Sequence, residues 1–187
     1  MGDPKKQKKK YEAPRYPWRT DILESELRLL GEYGLRNKRE LWRHRSMLSK
    51  FRSLARSLLS MSESERAKVE EQLLGRLKHL GILPEPAILD NVLDLGMDSI
   101  LERRLQTLVQ KRGLAKTFYQ SRQLITHGHI AVRDRKVFSP SYLVPREDEE
   151  SISYASTSPL SNASHPIRAS IEPSFGEAEI SGGEEDE

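Results

Sequence analysis

Between Asp98 and Phe138, helix caps and breakers follow one another so closely that no regular element can run much beyond about a dozen residues. Ser99-x-x-Glu102 is a cap pair opening a helix with Leu101, Leu105 and Leu108 on one side. Gly113 closes it, with Leu114 placed for the hydrophobic contact that accompanies such an end. Thr117-x-x-Gln120 opens a second helix, which turns Leu124 and Ile125 inward and stops at Gly128. His129-Ile130-Ala131-Val132 and Val137-Phe138 then form a hairpin around Arg133-Asp134-Arg135-Lys136. Tyr142-Leu143-Val144 and Ile152-Ser153-Tyr154 add later extended pieces. The pattern predicts an α+β fold in which two short helices pack on a small antiparallel β-ribbon.

Upstream the punctuation is helical. Asp21 and Glu24 make a cap pair, Leu23, Leu27 and Leu30 follow at i, i+4 and i+7, and Gly34 ends the helix. Asn37, with Glu40 at N3, caps a longer helix to about Leu59. Ser62-x-x-Glu65 opens a third, which repeats Val69, Leu73, Leu77 and Leu80 until Gly81, Pro84 and Pro86 stop it. Residues 87–95 are a short amphipathic segment. The chain thus divides into a basic disordered arm (1–19), a helical part (20–97), the helix–helix–ribbon module (98–155) and a disordered acidic tail (156–187).

The net charge of +3 conceals strong blocks. Residues 1–60 hold 16 basic and 7 acidic side chains, 61–100 hold 4 and 8, 101–146 hold 10 and 2, and 147–187 hold 1 and 11. Two basic blocks around an acidic helical insert point to a polyanion partner. With 187 residues, 36% hydrophobic and 32% charged, a sizeable catalytic domain is not expected. The absence of cysteine excludes disulfides, iron–sulfur clusters, thiolate zinc and cysteine nucleophiles. Lys5, Lys6, Lys8, Lys9 and Lys10 precede no apolar stretch, so no signal peptide is expected. No apolar run approaches the roughly 20 residues of a membrane span. The reading is a soluble, intracellular protein with no membrane partner.

Plotted at about 100° per residue, the second helix gathers Leu41, His44, Met47, Leu48, Phe51, Leu54, Ala55, Leu58 and Leu59 within an arc of roughly 140°. Outside it lie Lys38, Arg39, Arg43, Arg45, Lys50, Arg52 and Arg56, with Glu40 the single acid. Like charges at i,i+4 repel, and a solvated helix normally mixes signs, as the third helix does. This face therefore suits a phosphate surface. The module is equally one-sided: Arg103, Arg104, Lys111, Arg112, Lys116, Arg122, Arg133, Arg135 and Lys136 oppose only Glu102 and Asp134. The start of its second helix offers N–H groups and a positive dipole end beside Lys116. Thr117, Tyr119, Gln120 and Gln123 stand there to reach sugar and phosphate, a mode suited to structured RNA.

Leu101-Glu102-Arg103-Arg104-Leu105, Arg112-Gly113-Leu114-Ala115, Arg122-Gln123-Leu124-Ile125-x-His127-Gly128-His129-Ile130 and Ser139-Pro140-Ser141-Tyr142-Leu143-Val144 together closely resemble the S-four RNA-binding domain. Tyr33-Gly34-Leu35-Arg36-Asn37-Lys38-Arg39-Glu40-Leu41-Trp42 and Leu93-Asp94-Leu95 match what surrounds that domain in the archaeal and eukaryotic branch of the small-subunit ribosomal S-four family. The resemblance spans roughly residues 4–160. It implies a structural constituent of the small ribosomal subunit: a primary binder of 16S-type rRNA that nucleates assembly of the subunit body and contributes to translational accuracy. The implied location is the cytoplasm, with S-five and S-twelve ribosomal proteins as neighbours. Carried residue by residue, the RNA surface falls on Arg103, Arg104, Lys116, Thr117, Tyr119, Gln120, Arg122, Gln123, His127, His129 and Lys136. The chain departs from the family pattern in lacking a glycine in the hairpin turn. It also cannot carry the cysteine-bound zinc of some relatives.

Other classes fit less well. His127-x-His129 lacks a third ligand, so no metal and no cofactor are expected. The carboxylates lie in caps, the third helix or the tail, which leaves no acid–base pair for an enzyme and no small-molecule substrate. A helix-turn-helix regulator is disfavoured because the hairpin follows the two helices directly. The alternative is a non-ribosomal RNA-binding protein, or an accessory module of an RNA-modifying enzyme, built on the same domain.

Overall fold

The computed structural model describes residues 6, 8–84, 86–162, 164–169 and 171. In chain order its elements are α1 (Thr20–Glu32), α2 (Lys38–Leu59), α3 (Glu63–His79), α4 (Leu89–Asp94), α5 (Met97–Leu101), α6 (Leu105–Lys111), α7 (Phe118–Thr126), β1 (Ile130–Val132), β2 (Arg135–Lys136), β3 (Ile152–Tyr154) and α8 (Pro166–Ala169), with two short 3-10 turns at Arg146–Asp148 and Pro159–Ser161. They fall into two units, one holding residues up to 74 with 86–100, the other 75–85 with 101 onward. The helical part, the small antiparallel ribbon and the α+β class agree with the sequence pattern.

In the first unit Asn37 sets the start of α2: its Oδ1 accepts the Glu40 N–H at 3.1 Å. The inward stripe is Leu41, His44, Leu48, Phe51, Ala55 and Leu58, all buried. Leu54 and Leu59, at the edge of the arc and the end of the helix, stay exposed. α1 departs from its apolar periodicity. Leu27 is 55% exposed, whereas Glu26 is 4% exposed. The Glu26 carboxylate accepts from Trp42 Nε1 at 2.9 Å and meets Lys38 Nζ at 3.1 Å and Arg45 at 3.8 Å. Residues 38, 42 and 45 share one face of α2, so a single buried acid is met by three donors in a row. The Asp21–Glu24 pair does not cap α1. The helix begins at Thr20 without a side-chain cap, and Asp21 instead pairs with Arg19 at 3.1 Å.

The arm is also more ordered than its composition suggests. Tyr11 stacks on Trp42 with ring centroids 6.0 Å apart, and the Glu12 N–H donates to Ser46 Oγ at 2.9 Å. Aromatic area and a backbone hydrogen bond hold Tyr11 and Glu12 to α2, within a segment whose composition predicts a disordered arm over residues 1–19. Residues 1–5 and 7 lie outside those described.

The second unit contradicts the single helix expected from Ser99 to Arg112. Arg104 is extended (φ −73°, ψ 141°) and bridges Leu143, separating α5 from α6. Leu105 N–H donates to the Tyr142 carbonyl (2.8 Å), Gln106 N–H to that of Pro140 (3.3 Å), and Val144 N–H to that of Arg103 (3.0 Å). A distant segment thus takes the donors a continuous helix would have used. Glu102 is no cap; it pairs with Lys111 at 3.2 Å. The Thr117 cap is present as expected: its Oγ accepts from Gln120 N–H at 3.2 Å, and Gln120 Oε1 accepts from Lys116 N–H at 2.8 Å. Gly128, at φ +75°, ends the turn after α7, with the Phe138 ring against its bare Cα.

The sheet has order β2-β1-β3, antiparallel throughout. Its hairpin turn has two residues rather than four, because Arg133 (φ 48°) and Asp134 (φ 62°) both take the left-handed conformation that matches strand twist. Arg135 and Lys136 are consequently strand residues. The core joins Leu105, Leu108, Val109, Ala115, Leu124, Ile125, Ile130, Val132, Val144, Ile152 and Leu160.

Leu160 is 4% exposed and Ile171 2%, so the chain stays packed well past Ser156, where a disordered tail was expected. The terminal Glu184-Glu185-Asp186-Glu187 run lies outside the described residues. A chain ending at Ser156 should melt several degrees below one ending at Ile171 in thermal denaturation, because each large aliphatic lost from the core removes about 1.5–3 kcal/mol. In the first unit, Glu26→Ala should lower unfolding stability by about 2 kcal/mol in urea titrations, since it strands the Trp42 N–H and two cations.

Candidate nucleic-acid interface

On α2 the cations divide by what they touch. Lys38, Arg45 and Arg52 are committed to the fold, the last by donating to the Leu95 carbonyl that follows α4. Arg39, Arg43 and Lys50 fall within about 40° of one another on the helix, away from the core stripe. All three are exposed and have no acidic partner among the described residues; Arg56 is likewise exposed. Arg39 and Arg43 line a groove of about 600 Å³ with Lys8, Lys9, Lys10, Tyr11, Asn37 and Glu40. Lys9 Nζ lies 4.7 Å from the centre of the Tyr11 ring, and the Arg39 guanidinium 5.9 Å. Five cations and one acid around an aromatic ring form a cationic groove at the positive end of a 22-residue helix, where an anion would be favoured. Lys8, Lys9, Lys10 and Tyr11 belong to the basic arm of the sequence reading, whereas the seat of Tyr11 on α2 emerges only in the fold.

In the second unit the expected residues separate into supports and surface. Arg104 is fully buried and Arg103 nearly so: Arg103 forks onto Glu149 (2.7 Å) and the Val144 carbonyl (3.1 Å). Neither guanidinium presents itself to a phosphate, and both are corrected from contact residues to residues that hold the module together. Arg112 reaches the carbonyls of Glu150 (2.9 Å) and Ile152 (3.4 Å), and Lys111 is paired with Glu102. Arg122 leans on the buried Gln106 at 3.4 Å, and Gln106 donates to the Phe118 carbonyl at 3.0 Å.

The remaining residues share the outer side of α7 and its approach. Lys116, Thr117, Tyr119, Gln123 and His127 are exposed, Gln120 and His129 half-buried. Tyr119, Gln123 and His127 recur at the spacing of one helix face. The rings of His127 and His129 lie 6.4 Å apart at 21°. Lys136 and its neighbour Arg135, exposed on β2, have no acidic partner among the described residues. Arg135 and the 60%-exposed Phe138 join the surface although the sequence motif did not single them out. Among the described residues, no group of three or more His, Cys, Asp or Glu could hold a metal, and no helix is long and apolar enough to cross a membrane.

Comparison with known proteins gives this arrangement a family. The S4 domain matches residues 103–150. "Small ribosomal subunit protein uS4" of Hyperthermus butylicus is 55% identical over 159 residues, covering 85% of this chain and 90% of that protein. The proteins of the same name from Metallosphaera sedula and Ignicoccus hospitalis are 52% and 54% identical, over 87% and 85% of this chain and 91% and 96% of theirs. Similarity of this depth across both structural units leaves one assignment: the chain belongs to the uS4 family of small ribosomal subunit proteins.

Proposed function

We propose that the chain is a structural, non-catalytic constituent of the small ribosomal subunit, binding small-subunit rRNA through the α2 groove and the outer side of α7. In this reading it works in the cytoplasm as part of the subunit, helps nucleate assembly of the subunit body, and bears on accuracy through neighbours of the S-five and S-twelve families. The observation that carries the reading is the pattern of charge pairing. Arg103, Lys111 and Arg133 each have an acid, whereas Arg39, Arg43, Lys50, Lys116, Arg135 and Lys136 have none among the described residues. Cations placed side by side without acids cost repulsion in the free protein, and phosphate relieves it. The uS4 names of relatives similar along nearly their whole length support the ribosomal setting.

Filter binding to a small-subunit rRNA junction should show affinity falling steeply with salt. Arg39→Ala with Arg43→Ala should flatten the slope of log K against log salt by about two units, and Lys116→Ala by about one. Salt-independent binding, or equal affinity for duplex DNA, would refute the proposal. Co-sedimentation with small subunits through a gradient in moderate salt tests the ribosomal setting directly.

A further inference from the structure

The C-terminal stretch that packs onto α7 encloses something the charge pattern does not explain. Pro159, Leu160, His165 and Ile167 face Gln120, Gln123, Leu124, His127 and His129 across a cavity of about 240 Å³. Among the described residues no Asp, Glu, Lys or Arg lines it, although the unit is rich in all four. This described lining supplies no formal charge to attract a phosphate or a cation. Its volume is below the usual range of about 300–1,000 Å³ for small-molecule sites, so it suits one planar ring rather than a whole nucleotide or cofactor.

The polar atoms have a definite sense. Gln120 Oε1 accepts from the Lys116 N–H, which only a carboxamide oxygen can do, so its NH₂ is the end left to donate. His165 Nδ1 accepts from the Ile167 N–H at 3.3 Å, which puts the neutral ring's proton on Nε2. His129 Nδ1 is engaged with Ser158 Oγ at 2.9 Å. The Gln123 carbonyl accepts from Thr126 Oγ1 at 3.1 Å and from the His127 N–H at 3.0 Å, and its exposed side chain carries both an amide donor and an acceptor. The lining thus offers two defined donors, the Gln120 NH₂ and the His165 Nε2–H, an aliphatic floor from Leu124, Leu160 and Ile167, and near-parallel imidazoles to stack on.

We propose that this cavity holds a single unstacked nucleobase of the bound RNA, with a keto-bearing base such as uracil or guanine favoured over adenine. Imidazole faces stack on any base, and the Gln120 NH₂ and His165 Nε2–H suit an exocyclic carbonyl, a group adenine lacks, its acceptors being ring nitrogens alone. The inference rests on the RNA-binding reading and deepens it by naming what one part of that surface takes.

The test uses the full chain and an rRNA junction fragment, with variants Gln123→Ala and Ile167→Trp. Both residues are exposed, and Ile167→Trp fills the cavity without altering charge. Circular dichroism and melting verify that each variant folds. Each should weaken rRNA binding about tenfold with the salt slope unchanged. Ultraviolet crosslinking of the parent complex should place a uridine or guanosine adduct between Gln120 and His129. If parent protein binds rRNA and folded variants bind equally well, the base pocket is wrong while the RNA-binding reading stands. If the parent itself fails to bind, the broader reading falls. Variants that bind naked rRNA normally but enter subunits poorly would give the cavity to a protein side chain and overturn the nucleobase.

Discussion

The second unit depends on a short interruption, Glu102 to Arg104, where the chain leaves the helical conformation between α5 and α6. The first N–H groups of a helix have no partner within it, and α6 has no side-chain cap. Its Leu105 and Gln106 N–H groups are met by the carbonyls of Tyr142 and Pro140, while Arg103 accepts in return from Val144. Backbone more than thirty residues away therefore fixes where α6 begins. α6 in turn places Gln106, whose amide holds the Phe118 carbonyl in the first turn of α7. The residues that face outward from α7 inherit their positions from that chain of contacts, and the buried Arg104 at its origin is a support for the interface rather than part of it.

Charge follows the same division. The 101–146 block looked like a uniform basic patch, but Glu147, Asp148 and Glu149 fold back on it. Arg133 pairs with Asp148 and Glu147, and Arg103 with Glu149. By position in the sequence these acids belong with the acidic C-terminal block, yet they neutralise two cations of the module, one nearly buried and one exposed. Cations left over are concentrated near the α7 start and on β2. In the first unit Glu26 plays the corresponding part, taking up Lys38 and Arg45 and leaving the Arg39–Arg43 stripe exposed. Acids in both units thus select which cations remain available, and that selection is invisible in a count of basic residues.

What could be read from sequence was what is local. Asn37 and Thr117 capped their helices as the spacing required, the inward stripe of α2 followed its period, and Ile152–Tyr154 formed a strand. Family resemblance supplied the S4 assignment. Features set by distant partners were not legible. The break at Arg104 needs residues 140–144, the burial of Glu26 needs three donors from another helix, and the left-handed pair Arg133–Asp134 needs β3's neighbourhood, where Ser151 accepts the Arg133 N–H at 3.3 Å. Composition misled past Ser156, because Ser, Pro and Asn indicate disorder only when nothing apolar docks, and Leu160 and Ile171 do dock.

Capping also gives the interface its chemical sense. Thr117 Oγ and Gln120 Oε1 both accept from backbone N–H groups, so the start of α7 is held by acceptors turned inward. Each group keeps its donor as well as one remaining lone pair: the hydroxyl proton of Thr117 and the NH₂ of Gln120 stay unused by the cap. Beside them stand the Lys116 ammonium and the positive end of the helix dipole. The hydrogen bonds that stabilise the helix end therefore leave donors available there, the groups from which phosphate oxygens and base carbonyls accept. In the proposed RNA-bound state the oxygens of Thr117 and Gln120 serve the helix end while their hydrogens are available to RNA, so one pair of side chains meets both demands.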